Sequence, residues 1–238
     1  MKRNSFCLLF LLFIFTGSGL KGISYVDSEQ TTFSLNQSDT IKEDQALYNG
    51  RIWKNLYYNV QEDQFLFSRM FLPGSLTIRG KTFKNISIMY DIYKDEILTP
   101  IYPGGILQLN KEMVDSFSIS FQNKTHQFIR IPEDSLKEFR GYFNVIYKGK
   151  TALYVKYNKK IDKLGVEGKY DKFYQVSRIY FMKDNIVHLI TNKSDLLKVL
   201  NEDKAQIKDF IRKNKLAISK NDPESFIPVT RYFDTLSH

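Results

Sequence analysis

Between Phe65 and Ile101 apolar and polar residues alternate with period two. Leu76 and Ile78 set one register, Phe83 continues it, and Ile86, Ile88 and Tyr90 follow after a one-residue shift. Turn residues interrupt the alternation at Pro73-Gly74, Arg79-Gly80-Lys81 and Lys94-Asp95-Glu96. A helix cannot keep such a pattern on one face, so the stretch predicts a meander of antiparallel strands. Alternation sends one set of side chains to each face, so a sheet of this kind buries one face, leaves the other wet, and needs a lid or a second sheet.

The same rhythm extends along the chain. Asn49-Gly50 is a turn signal, and Trp53, Leu56, Tyr57, Tyr58 and Val60 predict a first strand pair turned at Gln61-Glu62-Asp63. Strands follow at Ile106 to Leu109, Val114 to Phe121, Phe128 to Ile131, Tyr142 to Tyr147, Leu153 to Tyr157, Phe173 to Met182 and Ile186 to Ile190. Between them, residues 132–139 predict a short helical turn and residues 158–171 a polar loop.

At Thr191 the period changes. Ser194 as N-cap, with Leu196, Leu197 and Leu200 on one face, predicts a helix. Asp203 and Gln206 as a capping box, with Ile207, Phe210 and Ile211 as the apolar stripe, predict a second. These two helices are the natural lid. The tail, with Pro223 and Pro228 before Val229-Thr230-Arg231-Tyr232-Phe233, predicts an extended piece docked on an edge strand.

The N-terminus opens Met1-Lys2-Arg3-Asn4 and continues with an apolar run from Phe6 to Phe15 and the small residues Thr16-Gly17-Ser18-Gly19. This is the pattern of a secretory leader, and the run is short of the roughly 20 residues that cross a bilayer. Cys7, the only cysteine, lies inside the run, where it cannot become a lipidated first residue. Once the leader is removed, disulfides, zinc-thiolate sites and thiol nucleophiles are all excluded. Removal also takes Lys2 and Arg3, so the formal charge of +9 falls by two. The remaining Lys and Arg are interleaved with Asp and Glu, which argues against a nucleic-acid groove.

No residue set carries a strong catalytic pattern. His126, His188 and His238 form no pair at metal spacing, and no Gly-x-Ser-x-Gly motif follows the leader. Asp91, Asp95 and Glu96 cluster in sequence, as do Glu133 and Asp134. Asp91, Asp95 and Glu96 fall in a turn, where aspartate serves its own backbone. They are also the candidates for a hydrolase that needs two carboxylates across a cleft. Nineteen Phe and fifteen Tyr, many alternating within strands, serve core packing, and a concave aromatic sheet can also hold an acyl chain or a glycan.

At Tyr48-Asn49-Gly50-Arg51, at residues 73–86, at Tyr90-Asp91-Ile92-Tyr93, and in the closing helices with Arg231-Tyr232-Phe233-Asp234, the chain resembles a group of secreted, β-rich proteins of Bacteroidetes-type bacteria that have no assigned function. The resemblance implies export and a β fold, and brings no catalytic residues with it.

The expected fold is mainly β (α+β): a large antiparallel meander sheet, a sandwich or half-barrel, closed by two short C-terminal helices. Residues 1–19 are the expected signal peptide and 20–45 a loosely ordered arm. Residues 46–190 form the β domain, and 191–238 its helical lid and tail. The expected function is an exported, periplasmic or extracellular envelope protein. It binds an apolar ligand such as a lipid, a glycan, or an envelope protein, without cofactor or metal and without a membrane span after processing. The alternative is a hydrolase of envelope polymers acting through Asp91, Asp95 or Glu96.

Overall fold

The computed structural model describes Gln45 and residues 47–132, 138–163 and 171–236; the leader, most of the N-terminal arm, Glu133 and Asp134 lie outside the described residues. The turns written into the sequence produce an antiparallel sheet whose strands are β1 (Gly50–Ile52), β2 (Leu72–Ile78), β3 (Lys81–Asp91), β4 (Glu96–Pro100), β5 (Ile106–Leu109), β6 (Val114–Phe121), β7 (Lys124–Ile131), β8 (Gly141–Lys148), β9 (Ala152–Asp162), β10 (Lys172–Lys183) and β11 (Ile186–Ile190). Their spatial order is β1-β5-β4-β3-β2-β6-β7-β8-β9-β10-β11, and the sheet does not close. Three hairpins turn on two consecutive residues in the left-handed region, Arg79-Gly80, Gln122-Asn123 and Asp184-Asn185. That geometry matches the twist of the flanking strands and favours Gly and Asn.

The sheet curls. Lys159 N–H of β9 donates to Ile92 O just past β3 at 3.2 Å, and Gln61 N–H donates to Asp171 O at 2.8 Å while Phe173 N–H donates to Gln61 O at 3.0 Å. Register shifts at Gly74/Ser75, Thr77/Ile78 and Val145/Tyr147 bend the strands enough to allow it. Tyr90, Phe117, Phe128 and Tyr142 fill the inside of the curl as one aromatic cluster.

One expectation fails here: neither face of the sheet is left wet throughout. Neighbouring residues such as Met89 and Tyr90, Ile97 and Leu98, and Tyr142 and Phe143 are all buried, although alternation points them to opposite faces. Trp53, Phe65 and Phe71 pack over Met89 and Leu98 on the face turned away from the curl. The segment from Trp53 to Val60, expected as a strand pair, is therefore irregular chain that covers this second face. β9 also runs on to Asp162, where a loop was expected from Asn158, because Lys160 and Asp162 pair with Tyr174 and Lys172.

Helices α1 (Lys193–Val199) and α2 (Lys204–Lys213) lie where the period change placed them. Their starts differ in detail. Asn192, rather than Ser194, caps α1 by accepting from Asp195 N–H at 3.0 Å, and the Asp195 carboxylate returns the bond to Thr191 N–H at 3.2 Å. Asp203 precedes α2 without a side-chain cap bond, so the expected capping box is absent. The tail holds the larger correction: Ile227–Leu236 forms a third helix, α3, where an extended piece was expected. Pro228 stands in its first turn, where no N–H is needed, and Val229 and Phe233 fall one helical turn apart and are buried.

The three helices pack on β9, β10 and β11 through Leu153, Phe181, Leu196, Ile207, Phe226 and Phe233. Asp234 of α3 fastens the lid by accepting from Thr151 Oγ1–H at 2.7 Å and Tyr147 Oη–H at 2.9 Å. Gly149 makes room for this contact, since a Cβ there would lie 2.2 Å from Asp234 Oδ2. Ile207 is fully buried, whereas Phe210 is half-buried and stacks on Tyr232 with ring centroids 4.0 Å apart. Ile207→Ala should therefore cost about 2–5 kcal/mol of unfolding free energy. Phe210→Ala should cost less than Ile207→Ala in the same denaturant titration.

Candidate functional site

The face that carries Met89 and Leu98 changes character at its edge. Antiparallel register puts Leu98 beside Gln108 and Gln108 beside Arg51, and it puts Asp91 opposite Glu96. Residues paired in this way share a face, so an apolar floor runs directly into a polar row. Arg51 Nε donates to Gln108 Oε1 at 3.0 Å and its Nη2 lies 3.4 Å from Glu96 Oε1. Beyond β1 the chain rises over this row, bringing Trp53, Leu56 and Tyr57 to its other side. The result is a cleft of about 420 Å³ lined by these residues together with Lys54, Lys94 and Asp91.

Each wall is held from behind. Trp53 packs on Phe65 with ring centroids 6.0 Å apart, and its backbone N–H donates to Ile106 O at 2.8 Å. Tyr57 meets Tyr93 and Phe173 edge-on at 5.0 and 5.7 Å. Lys94 Nζ stands over the Tyr57 ring at 5.6 Å. Ile52 and Leu56, by contrast, are 58% and 72% exposed, so apolar surface faces the opening.

The three carboxylates singled out in the sequence separate into two environments. Asp91 and Glu96 meet in the cleft. Asp91 is 1% exposed and accepts from Tyr93 N–H and Lys94 N–H, both at 2.9 Å. Burial pushes its carboxyl up to about 6, against those two donors and with help from the Glu96 charge. Burial also raises Glu96, against the pull of Arg51. Asp95 points elsewhere. Its carboxylate accepts from Tyr90 Oη–H at 2.5 Å and lies 2.8 Å from Lys111 Nζ and 2.9 Å from Lys156 Nζ. Burial alone opposes its ionisation, but Lys156 and then Lys111 outweigh that and hold it below its ordinary value. Gly141, at φ +85°, is required beside it, because a Cβ there would lie 2.0 Å from Asp95 Oδ2.

Asp91 is engaged by its own turn and Glu96 by Arg51, so the polar row is a fixed set of donors and acceptors. Among the described residues no group of His, Cys, Asp and Glu is arranged to hold a metal. His126 is half-buried against Phe67, with ring centroids 4.5 Å apart, and His188 is half-buried on β11; neither lies in the cleft. Of the carboxylates singled out in the sequence, Asp91 and Glu96 line the cleft; Arg51, Trp53, Lys94 and Gln108, which line it with them, were not singled out there. Arg51 and Gln108 are 57 residues apart, and only strand pairing brings them together.

The two aspartates predict opposite responses to pH. The folded state binds the Asp91 proton more tightly than the unfolded chain does. This contribution is therefore full below the ordinary value of 3.8 and is lost as pH rises to about 6. Asp91→Asn keeps an acceptor for both backbone donors and should gain stability relative to the parent as pH rises from about 4 to 7, by at most about 3 kcal/mol. Asp95 works the other way, stabilising at neutral pH and losing its contribution as pH falls below the ordinary carboxylate value. Asp95→Asn removes the charge that faces two ammonium groups and should cost about 3–5 kcal/mol at pH 7, with the difference shrinking in acid. Thermal unfolding of both variants across pH checks each sign.

No family model, no curated protein and no solved structure matches the chain.

Proposed function

We propose that this is an exported, non-enzymatic binding protein of the cell envelope, and that its ligand is a glycan held in the cleft between Trp53 and Glu96. The observation that carries the reading is the joining of exposed apolar surface to a fixed row of both donors and acceptors. A sugar ring has an apolar face and a rim of hydroxyls that both donate and accept, and the cleft offers a matching surface to each. An acyl ligand fits less well, because Tyr90, Phe117, Phe128 and Tyr142 already fill the inside of the curl. Export rests on the leader pattern of residues 1–19.

A second reading, a hydrolase of envelope polymers, draws on the raised Asp91 carboxyl opposite Glu96. It requires release of product from an oligosaccharide, abolished in Glu96→Gln.

Trp53 is the single tryptophan of the chain, so its emission reports on the cleft directly. Titration with oligosaccharides should change that emission without releasing product. Leu56→Asn and Arg51→Ala, both at exposed positions, should each weaken binding by about tenfold while leaving the melting temperature in place. Unchanged emission across the titration rejects the glycan reading. For export, N-terminal sequencing of the native protein should find a start between Leu20 and Ser24; a start at Met1 rejects it.

A further inference from the structure

The cleft is not isolated. A second cavity, of about 370 Å³, lies on the other side of the Arg51 and Gln108 pair and is lined by these same two residues together with Asn49, Asn110 and Lys111. The two spaces share Arg51 and Gln108 in their linings and so adjoin at β1 and β5, with this pair as the sill between them; we treat them as the two halves of one groove. The halves differ in chemistry. The first has the aromatic and aliphatic wall of Trp53, Tyr57 and Leu56, while the second has the amides of Asn49 and Asn110. A ligand filling both must be extended and must repeat its polar rim, as a linear oligosaccharide does.

Charge along the groove is uneven. Glu96 is matched by Arg51, Lys111 is turned to Asp95, and Asp91 lies beneath the surface at 1% exposure. Lys54 and Lys94 both line the first half, and among the described residues neither makes an ion pair. Lys94 has instead the rings of Tyr57 and Tyr93 at 5.6 and 5.1 Å. Lys94 also feels the Tyr57 side chain and the Glu96 charge, and an anionic group seated there meets two ammonium groups, neither held in an ion pair, beside an apolar wall.

We infer that the ligand is an acidic oligosaccharide of at least two sugars, laid along the groove across Arg51 and Gln108 with an anionic substituent between Lys54 and Lys94. The inference rests on the glycan reading of the cleft and adds the length and charge of the ligand. A uronic acid supplies the required chemistry: a carboxylate on a ring whose other face is free to press on an aromatic side chain.

The test uses the full mature protein and Trp53 emission, with four probes: tetragalacturonate, maltotetraose, galacturonic acid and a tetraglutamate peptide. Tetragalacturonate should bind at least about tenfold tighter than maltotetraose, a gain consistent with two partly exposed charge contacts. Galacturonic acid should bind at least about tenfold more weakly than its tetramer, because it occupies one half of the groove. Lys54→Gln combined with Lys94→Gln should weaken tetragalacturonate far more than maltotetraose and so erase the preference for the acidic tetramer. Equal affinity for the two tetramers, a monosaccharide as tight as the tetramer, or tighter binding of the peptide overturns the inference. If maltotetraose binds and tetragalacturonate has no advantage, the acidic assignment falls while the glycan reading stands. If neither tetramer alters Trp53 emission, both fall.

Discussion

The largely buried carboxylate of Asp95 ties the curl together. It sits in the turn between β3 and β4 with a left-handed backbone, and it gathers Tyr90 from β3, Lys111 from the turn after β5 and Lys156 from β9. Tyr142 N–H at the start of β8 also faces it, at 3.3 Å. These elements are far apart in sequence, and the strand ladder alone does not bring β9 beside β4. A buried charge without partners is costly enough that such a group either neutralises or finds them. Here Lys156, itself 8% exposed, and Asp95 each make the other's burial tolerable.

A single hairpin thus separates two functions. The β3–β4 turn directs Asp95 toward Tyr90, Lys111 and Lys156 and presents Asp91 and Glu96 to the cleft, so the element that secures the fold also positions the floor of the cleft. The geometry of the site follows from the backbone. Its polar groups are set by strand register and backbone donors, while the parts exposed to solvent, Ile52, Leu56, Lys54 and Lys94, are those that can meet a ligand without disturbing the core.

What the sequence made legible was local. Hairpins turning on Gly80, Asn123 and Asn185 were visible because those residues tolerate left-handed backbone, and the signal lies within a few positions. Helices α1 and α2 announced themselves by their apolar spacing. Helix α3 did not, because Val229, Thr230 and Phe233 carry strand propensity and Pro228 reads as a breaker unless the helix start is already known. Trp53 to Val60 was misread for a related reason: its apolar residues cover a sheet face from irregular chain, and composition does not distinguish that from a strand. Most of the site lay beyond sequence reasoning. Asp95 was recognisable as a turn residue, but nothing near it in sequence points to Lys156, and nothing near Arg51 points to Gln108.

Strand β1 has three residues, all exposed, and pairs on one side only, with Leu107, Gln108 and Leu109. Short edge pairings of this kind have the least to lose on opening, so they occupy the low end of a protein's local stability spectrum. The groove runs across this strand, and its sill is one of the strand's own side chains. Occupancy and edge pairing therefore share a thermodynamic cycle. Whatever spans the sill also fastens β1 to β5, and whatever loosens β1 opens the groove while the curl, tied together at Asp95, stays whole.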